Sequence, residues 1–372
     1  MNDKNKVNVW KVIALAVTCL LLLMSYLYYD SINKNQINNN PEEDEIIDDE
    51  ENISYLSLWN DNAEAKIELE NYIKDITDEN NPDYIPIENR VAVFDLDGTL
   101  FCETDPVYFD HMLFMHRVLE DSSHTASEFE LEVAKKVQEF IDTGVYPEGL
   151  DNLHGQGVAS AFKGMTLKEF SDYVAKYAKT ECPGYNNMNR GDAFYLPMVE
   201  IIDLLQNNDF KVYIVSGTDR LIVRGVSEGL SFFHIPNNQI IGSDELLVSS
   251  NQGEEDGLEY IYTNEDEVVL AGEFIIKNLK MNKVTNIIQE IGMQPVLSFG
   301  NSSGDYSMAN YVINDNPYRS LAFMLCCDDT VRENGNIAKA NKMLEACKEN
   351  NWIPISMKND WKTIYGDEVT RE

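Results

Sequence analysis

Two aspartates one residue apart are the residues most clearly placed for chemistry in this sequence. Asp95 and Asp97 directly follow the apolar run Val91–Phe94, and Gly98 and Thr99 come next. Carboxylates at positions i and i+2, on a chain that bends through a glycine, can face one phosphate from different directions. One could attack while the other transfers protons. We therefore take the pair as a candidate nucleophile and a candidate acid–base.

Further polar residues follow two other apolar runs, Lys211–Val215 and Pro295–Phe299. They are Ser216, Gly217 and Thr218 after the first run, and Asn301 and Asp305 after the second. A lysine precedes the second run, either Lys283 or Lys280. Phosphoryl transfer from a monoester needs a nucleophile, a proton donor, a divalent cation and donors to the phosphate oxygens. These groups could supply that set.

Strand-like and helix-like sequence patterns alternate along the chain, and these elements must position the polar residues. Apolar strand candidates are separated by helical patterns, and they are Arg90–Phe94, Lys211–Val215, Pro295–Phe299, Leu321–Cys327 and Trp352–Met357. Such alternation predicts an α/β fold, a Rossmann-like parallel sheet with helices on both faces. Because ligands bind at the carboxyl ends of such strands, we expect the polar residues to meet in one crevice.

Residues 105–192 interrupt this alternation with helical patterns at Phe109–Leu119, Glu128–Asp142 and Leu167–Ala178. They predict a helical cap domain inserted into a core domain of residues 54–104 and 193–372. Asn251–Phe274 has glycine turns and alternating residues, which favours a β-ribbon.

The motif Asp95–Phe101, "DLDGTLF", followed in order by Ser-Gly-Thr, the lysine and Gly-Asn with Asp305, resembles a known family. It is similar to the haloacid dehalogenase-like hydrolase superfamily, in the phosphoserine-phosphatase-like branch with a helical cap. The resemblance extends from about Asn89 to the C-terminus. It implies a phosphatase that uses Mg²⁺ on a small phosphorylated substrate, because ATPases of the superfamily usually lack the second aspartate.

Carried over to this chain, the resemblance implies a role for each motif residue. Asp95 would form an aspartyl-phosphate and bind Mg²⁺. Asp97 would protonate the leaving alcohol, activate water and bind the metal through its carbonyl oxygen. Ser216 would contact the phosphoryl oxygens, with Gly217 and Thr218 beside it as substrate ligands.

The remaining motifs concern the phosphate charge and the metal. Lys283 would neutralise the phosphate and the attacking carboxylate, with Lys280 as the alternative. Asn301 stands where family members often have a metal-binding aspartate, and Asp305 follows four residues later. An asparagine oxygen still binds a hard cation but contributes no charge. We expect Asn301 and Asp305 to complete the metal site.

Substrate choice is expected to depend on the cap. Glu103 lies one position earlier than the glutamate that holds the substrate amine in phosphoserine phosphatases, so phosphoserine is not favoured. Arg117 and Arg190 could hold a carboxylate or a second phosphate. Aromatic residues such as Tyr108 and Tyr195 could instead suit a quaternary ammonium group, although such residues more often pack helices.

The charge and the N-terminus limit the partners. The formal net charge of the 372 residues is −35, part of it in Pro41–Asn52, and no basic cluster is present for binding nucleic acid. Val12–Tyr29 is uncharged and follows a lysine-containing tail, residues 1–11, which predicts an uncleaved membrane anchor and an extracytoplasmic catalytic part. Secretion after signal cleavage is the alternative. Residues 30–53 read as a disordered acidic linker.

Two further hypotheses stay open beside a membrane-anchored phosphomonoesterase. Because Asn301 is uncharged, the chain could be a surface binding protein that reuses the fold with weakened catalysis. It could also transfer the phosphoryl group to an acceptor other than water. The sequence does not indicate an oligomeric state.

Overall fold

The strands of the molecule include all five runs anticipated from the sequence. The computed structural model describes residues 55–228 and 230–372. In chain order the strands are β1 (Val91–Phe94), β2 (Tyr185–Asn186), β3 (Lys211–Asp219), β4 (Ile240–Ser249), β5 (Val268–Ile276), β6 (Leu297–Gly300), β7 (Leu321–Cys326), β8 (Ile353–Ser356) and β9 (Thr370–Arg371).

Seven of these strands form one sheet in the order β5-β4-β3-β1-β6-β7-β8. All neighbouring pairs are parallel except β4 and β5, which are antiparallel at one edge. β2 and β9 form a separate two-stranded antiparallel sheet. The α/β fold with a mainly parallel sheet is therefore confirmed, and β1 lies in the middle of it.

Helices connect the strands, as the period of the sequence indicated. They are α1 (Glu64–Thr77), α2 (Phe109–Leu119), α3 (Glu128–Thr143), α4 (Leu150–Ala161), α5 (Leu167–Ala178), α6 (Leu196–Gln206), α7 (Arg220–Ser227), α8 (Met281–Asn286), α9 (Tyr306–Ile313), α10 (Ile337–Asn350) and α11 (Met357–Asp360). Helices α2 to α5 all fall between β1 and β3, where the cap was predicted. The division into core and cap at residues 105 and 192 stays a prediction.

The centre of the sheet is packed by aromatic residues from successive strands. Phe94, Phe299 and Phe323 stack in a row, with ring centroids 4.2 Å and 4.9 Å apart. All four residues of β1 are buried. Strands buried on both faces read as continuous apolar runs, which is why β1 was visible in the sequence. This packing fixes the point where β1 ends and the polar residues begin.

Two expectations have a different outcome. The β-ribbon over Asn251–Phe274 is wrong in its first part: residues 251–267 form turns, and only the end of the segment enters β5, which pairs with β4. The predicted tail, anchor and linker, residues 1–53, lie outside the described residues. Within residues 55–228 and 230–372, no helix has the length and apolar character needed to cross a membrane.

Candidate active site

Asp95 lies at the centre of the sheet, immediately after β1. Its backbone N–H donates to the carbonyl oxygen of Phe299 at 2.9 Å, so the pairing of β1 with β6 continues into the candidate site. The Asp95 side chain is buried, with 6% of the residue exposed. Backbone pairing therefore holds this carboxylate in one place at the carboxyl end of the central strand, as expected for a nucleophile in a parallel sheet.

Lys283 on α8 joins Asp95 to Asp305. Its ammonium donates to Asp95 Oδ1 at 2.5 Å and to Asp305 Oδ1 at 2.7 Å, and the lysine is fully buried. The other oxygen of Asp305 accepts hydrogen bonds from the backbone N–H groups of Asn301 and Ser302, each at 3.0 Å. The structure thus brings Lys283 into the site, whereas Lys280 is exposed.

The charges in this cluster depend on each other. Burial and the nearby charge of Asp305 raise the pKa of Asp95, and Lys283 acts in the opposite direction. Burial alone would lower the pKa of Lys283, but Asp305 and Asp95 raise it, so the lysine stays protonated. A buried ammonium between two carboxylates compensates the cost of taking these groups out of water.

Asp97 contacts the carboxyl-terminal part of β3. Thr218 Oγ1 donates to Asp97 Oδ2 at 2.7 Å. Burial and the charges of Asp110 and Asp95 raise the pKa of Asp97 well above its ordinary value, and the hydrogen bond from Thr218 opposes this shift. A carboxyl group that keeps its proton at neutral pH can act as a general acid.

The Ser-Gly-Thr segment is placed differently from the expectation for its serine. Ser216 is fully buried, and its Oγ accepts a hydrogen bond from the backbone N–H of Thr218 at 3.0 Å. Gly217 and Thr218 line the cavity in front of Asp95, whereas Ser216 is not among the lining residues. In this structure Ser216 therefore supports the turn that presents its two neighbours, and its role as a direct phosphate ligand stays a prediction.

Asn301, Thr99 and Glu103 gather around Gly98. Thr99 Oγ1 lies 3.5 Å from Asp95 Oδ2 and 3.4 Å from Asn301 Oδ1. Gly98 has a φ of +76°, and a Cβ atom at this position would lie 1.8 Å from Asn301 Nδ2. Burial raises the pKa of Glu103 to about 7, and the nearby Asn301 side chain acts against this rise. Glycine is needed here for both its backbone conformation and its small size.

The oxygen atoms near Asp95 fit a hard divalent cation. A single hydroxyl group, that of Thr99, is within reach of both Asp95 Oδ2 and Asn301 Oδ1, so these two oxygens face the same small space. Carboxylate, amide and carbonyl oxygens are the ligands that Mg²⁺ prefers. Asp95 and Asn301, with the backbone carbonyl of Asp97, would hold the ion. Asp305 accepts hydrogen bonds from Lys283 and from backbone N–H groups in this structure, and its role as a metal ligand stays a prediction.

A cavity of about 70 Å³ lies in front of the two aspartates. Its walls include predicted residues, namely Asp95, Asp97, Glu103, Gly217, Thr218 and Asp305. They also include residues for which the sequence analysis proposed no substrate contact, namely Asp110, Tyr146, Asp151, Lys277, Leu279 and Ser302. These residues carry no motif, and most come from helices or strand ends whose packing had to be known first.

Arg117 and Arg190 do not line this cavity, and their role as substrate ligands stays a prediction. Arg117 is buried and donates to the carbonyl oxygen of Ala161 and to Asp121, at 3.1 Å and 2.6 Å. Arg190 donates to the backbone carbonyl of Asp105 at 3.3 Å. Both guanidinium groups are used to hold the helical segments together.

A buried polar cluster lies on the helical side of the cavity. His111 Nδ1 is 2.7 Å from Asp110 Oδ1, and the rings of His111 and His154 stack with centroids 3.8 Å apart. Both ring nitrogens of His154 are buried without a hydrogen-bond partner among the described residues. Burial and His111 lower the pKa of His154, which keeps this ring neutral. Asp110, His111 and His154 each offer one ligand atom, and these atoms lie within 4.8 Å of one another.

Comparison with known families now identifies the class. A family model described as haloacid dehalogenase-like hydrolase matches residues 92–310, more than half of the chain. The chain belongs to this family. No curated protein matches it.

Solved structures were also compared with the chain. One is a conserved functionally unknown protein from Anaerococcus prevotii, at 13% identity and a TM-score of 0.49, covering 78% of this chain and 91% of that one. Another is cytosolic 5'-nucleotidase IIIB bound to cytidine, at 13% identity and a TM-score of 0.47, covering 80% and 88%. A phosphoserine phosphohydrolase-like protein from Francisella tularensis has 15% identity and a TM-score of 0.34, covering 63% and 87%.

Proposed function

We propose that this hydrolase is a Mg²⁺-dependent phosphomonoesterase that forms an aspartyl-phosphate on Asp95. The observation that carries the proposal is the arrangement at the end of β1. Asp95 is buried beside the ammonium of Lys283, and Asp97, with a raised pKa, lies across the same cavity against Thr218. A nucleophile, a charge-neutralising cation and a proton donor therefore face one space.

In the first step a carboxylate oxygen of Asp95 attacks phosphorus, and the bond between phosphorus and the alcohol oxygen breaks. Asp97 gives its proton to that leaving oxygen, so the alcohol departs neutral. Lys283 is hydrogen-bonded to the attacking carboxylate and stabilises negative charge on the phosphoryl group. Gly217 and Thr218 line the cavity and are further candidate ligands for the phosphoryl oxygens.

In the second step water attacks the aspartyl-phosphate. Asp97, now ionised, takes a proton from the water as the new bond to phosphorus forms. The bond between phosphorus and Asp95 breaks, which restores the carboxylate and releases inorganic phosphate. Thr218 supports this step, because its hydroxyl donates to Asp97 Oδ2 and stabilises the ionised form.

Mg²⁺ bound by Asp95, Asn301 and the carbonyl oxygen of Asp97 would neutralise phosphate charge. The donor set is all oxygen, which suits this ion and not a soft metal. Only one of the side-chain ligands is anionic. That makes the position of the neutral ligand, Asn301, important for affinity.

The substrate is proposed to be a small phosphorylated metabolite, because the cavity at the two aspartates is small and the neighbouring cavity of about 310 Å³, which shares Glu103 and Tyr108 with it, has room for a metabolite-sized leaving group. We also propose that the catalytic part lies outside the cytoplasm, held by a membrane anchor at residues 12–29. Support for the location comes only from the lysine-flanked apolar run in the sequence. Protease digestion of intact and permeabilised cells tests it. Cleavage in intact cells is expected, and protection until permeabilisation would contradict it.

The activity itself is tested by phosphate release from a panel of phosphomonoesters, with and without Mg²⁺. We expect turnover that requires Mg²⁺ and is lost in Asp95→Asn, whereas Asp367→Asn, at an exposed position, leaves it unchanged. Release of the alcohol without free phosphate when a second alcohol is present would identify a phosphotransferase instead. Tight binding without any turnover, in a folded chain, would favour the binding protein.

A further inference from the structure

The uncharged residue in the metal site is the feature that the proposed function leaves unexplained. Asn301 occupies the position after β6 where the family resemblance leads one to expect an aspartate. A carboxylate presents two equivalent oxygens, so it binds a cation in either orientation. An amide presents one oxygen and one NH₂ group, and only the oxygen can bind. An asparagine ligand therefore needs a device that fixes its orientation.

The oxygen of the Asn301 amide faces the nucleophile. Thr99 Oγ1 is 3.4 Å from Asn301 Oδ1 and 3.5 Å from Asp95 Oδ2, and the hydroxyl can donate to either. This side of the amide is thus the side of Asp95. Turning the amide by half a rotation would direct its NH₂ group toward Asp95 and expel a cation.

The nitrogen of the amide faces Glu103 across Gly98. A Cβ atom at Gly98 would lie 1.8 Å from Asn301 Nδ2, 2.5 Å from Glu103 Cδ and 2.7 Å from Glu103 Oε2. The two side chains therefore meet over the bare Cα of Gly98. The Asn301 side chain lowers the pKa of Glu103, as expected for an amide N–H directed at the carboxylate. A carboxylate can only accept, so it selects the orientation that brings NH₂ toward it.

Hydrogen bonds of the neighbouring residue hold the segment that carries Glu103 in place. The next residue, Thr104, donates its hydroxyl to Glu333, and Asn334 Nδ2 donates to the carbonyl oxygen of Thr104 at 3.1 Å. Glu333 is fully buried and also accepts from the hydroxyl of Tyr185 at 2.6 Å. The segment that carries Glu103 is therefore tied to the loop after β7. Glu103 can orient another side chain because its own segment is fixed.

We propose that Glu103 is a positioning residue that orients the amide of Asn301, so that its oxygen faces the Mg²⁺ site. The inference rests on the proposed function, because it concerns the metal of that reaction. It also explains why the ligand at position 301 is uncharged. An aspartate at position 301 would place two carboxylates against each other over Gly98, whereas asparagine gives Glu103 a donor.

The first test measures Mg²⁺ binding to the full metal-free chain by calorimetry, without substrate. Glu103→Gln removes the charge but keeps an oxygen acceptor, and Glu103→Met removes both at similar length. We expect Glu103→Met to bind Mg²⁺ at least about tenfold more weakly than Glu103→Gln, the usual scale for loss of a group that orients a metal ligand. Equal affinities of the two variants would overturn the proposal, because charge alone would then account for the effect.

The second test repeats the comparison with Asn301→Asp. A carboxylate needs no orientation, so Glu103→Met is expected to leave Mg²⁺ affinity unchanged or to strengthen it in that background. If Glu103→Met weakens Mg²⁺ binding tenfold in the Asn301→Asp background as well, the proposal is overturned. Melting temperatures of each variant exclude unfolding as the cause of weaker binding. A wild-type chain that binds no Mg²⁺ would overturn the metal-dependent function itself. If only the interaction between Glu103 and Asn301 fails these tests, the wild-type chain still binds Mg²⁺. Failure of this proposal and failure of the proposed function can therefore be distinguished.

Discussion

The two sides of the cavity are built in different ways. The strand side consists of the lining residues Asp95, Asp97 and Asp305, together with Lys283 and Asn301, which contact them from behind. The helical side, formed by Tyr108, Asp110, His111, Tyr146 and Asp151, takes its residues from the segments between β1 and β3.

The polar groups on the two sides differ in how fully they are satisfied. On the strand side, Asp305 uses one oxygen for Lys283 and the other for two backbone N–H groups. On the helical side, His111 Nε2 and both nitrogens of His154 are buried without hydrogen-bond partners among the described residues, and His154 Nδ1 is 3.7 Å from Asp110 Oδ2. A fully satisfied network holds one geometry, whereas an incompletely satisfied one costs stability. We infer that the strand side holds the chemistry fixed and the helical side is the more tolerant of change.

Lys283→Met is expected to have the largest effect. It leaves Asp95 and Asp305 buried close together without a cation, which costs about 3–5 kcal/mol in the free energy of unfolding. Turnover falls by about 10²–10³-fold, the scale of losing one group that stabilises transition-state charge. Denaturant unfolding and phosphate release check the two parts.

Two variants serve as controls for this prediction. Lys280→Met changes an exposed lysine three residues away and should alter neither quantity. Adding Asp305→Asn to Lys283→Met removes one of the uncompensated charges and should recover part of the stability but not the turnover. If Lys283→Met unfolds no more easily than the wild type, the strand side is not a charge-compensated network.

Gly98→Ala is expected to have the next largest effect. Its φ of +76° disfavours alanine, and the added Cβ would lie 1.8 Å from Asn301 Nδ2. We expect about 10- to 100-fold weaker Mg²⁺ binding, because the amide must move. Gly144→Ala is a matched control, since it has a φ of +67° and nothing within 4 Å of the added atom.

The control separates strain from the clash. Gly144→Ala should lose about 1–2 kcal/mol of stability through its backbone conformation and keep its Mg²⁺ affinity. Gly98→Ala should lose both stability and Mg²⁺ affinity. Unchanged Mg²⁺ binding in Gly98→Ala would show that the approach of Asn301 and Glu103 over this glycine has no bearing on the metal.

Thr218→Val is expected to move the pH dependence of kcat/KM. The reaction needs Asp97 protonated in its first step, so activity falls as pH rises through the pKa of Asp97. Thr218 donates to the ionised carboxylate and lowers this pKa. Without the hydroxyl the pKa rises, and the alkaline limb should move upward by about one pH unit. Thr218→Ser keeps the hydroxyl and should leave the limb in place. A downward shift in Thr218→Val would rule out Asp97 as the acid.

The comparison also shows how much of the molecule can be predicted from its sequence. Strands buried on both faces give apolar runs, so β1, β3, β6, β7 and β8 were visible, and with them the residues at their ends. Lys283 was found because the family resemblance implies a lysine near the start of the helix before β6, and it lies in α8. β4 was missed, and Leu258–Tyr262 alternates without forming a strand.

The helical side could not be predicted in the same way. Tyr146 and Asp151 follow no strand, and the packing of α2 to α5 decides which of their residues face the cavity. We predicted Arg117 as a substrate ligand, because nothing in the local sequence shows that its guanidinium group donates to Asp121 and to the carbonyl oxygen of Ala161. The contact between Glu103 and Asn301 joins residues far apart in sequence and becomes visible only when both are placed beside Gly98.

His154→Phe is expected to have the smallest effect. The ring of His154 stacks on His111 and lies 5.5 Å from Phe114, and its nitrogens have no partner among the described residues. Phenylalanine keeps an aromatic ring there and removes two buried polar atoms, whose desolvation costs about 1–3 kcal/mol each when unpaired. We expect unchanged or higher stability in denaturant and turnover within about threefold of the wild type, a change well under the 1.4 kcal/mol that corresponds to tenfold. Tyr108→Phe, a conservative change on the same side, is the companion measurement. A loss of turnover in His154→Phe comparable to that in Lys283→Met would mean that the helical side takes part in the chemistry as directly as the strand side, and the distinction between them would fail.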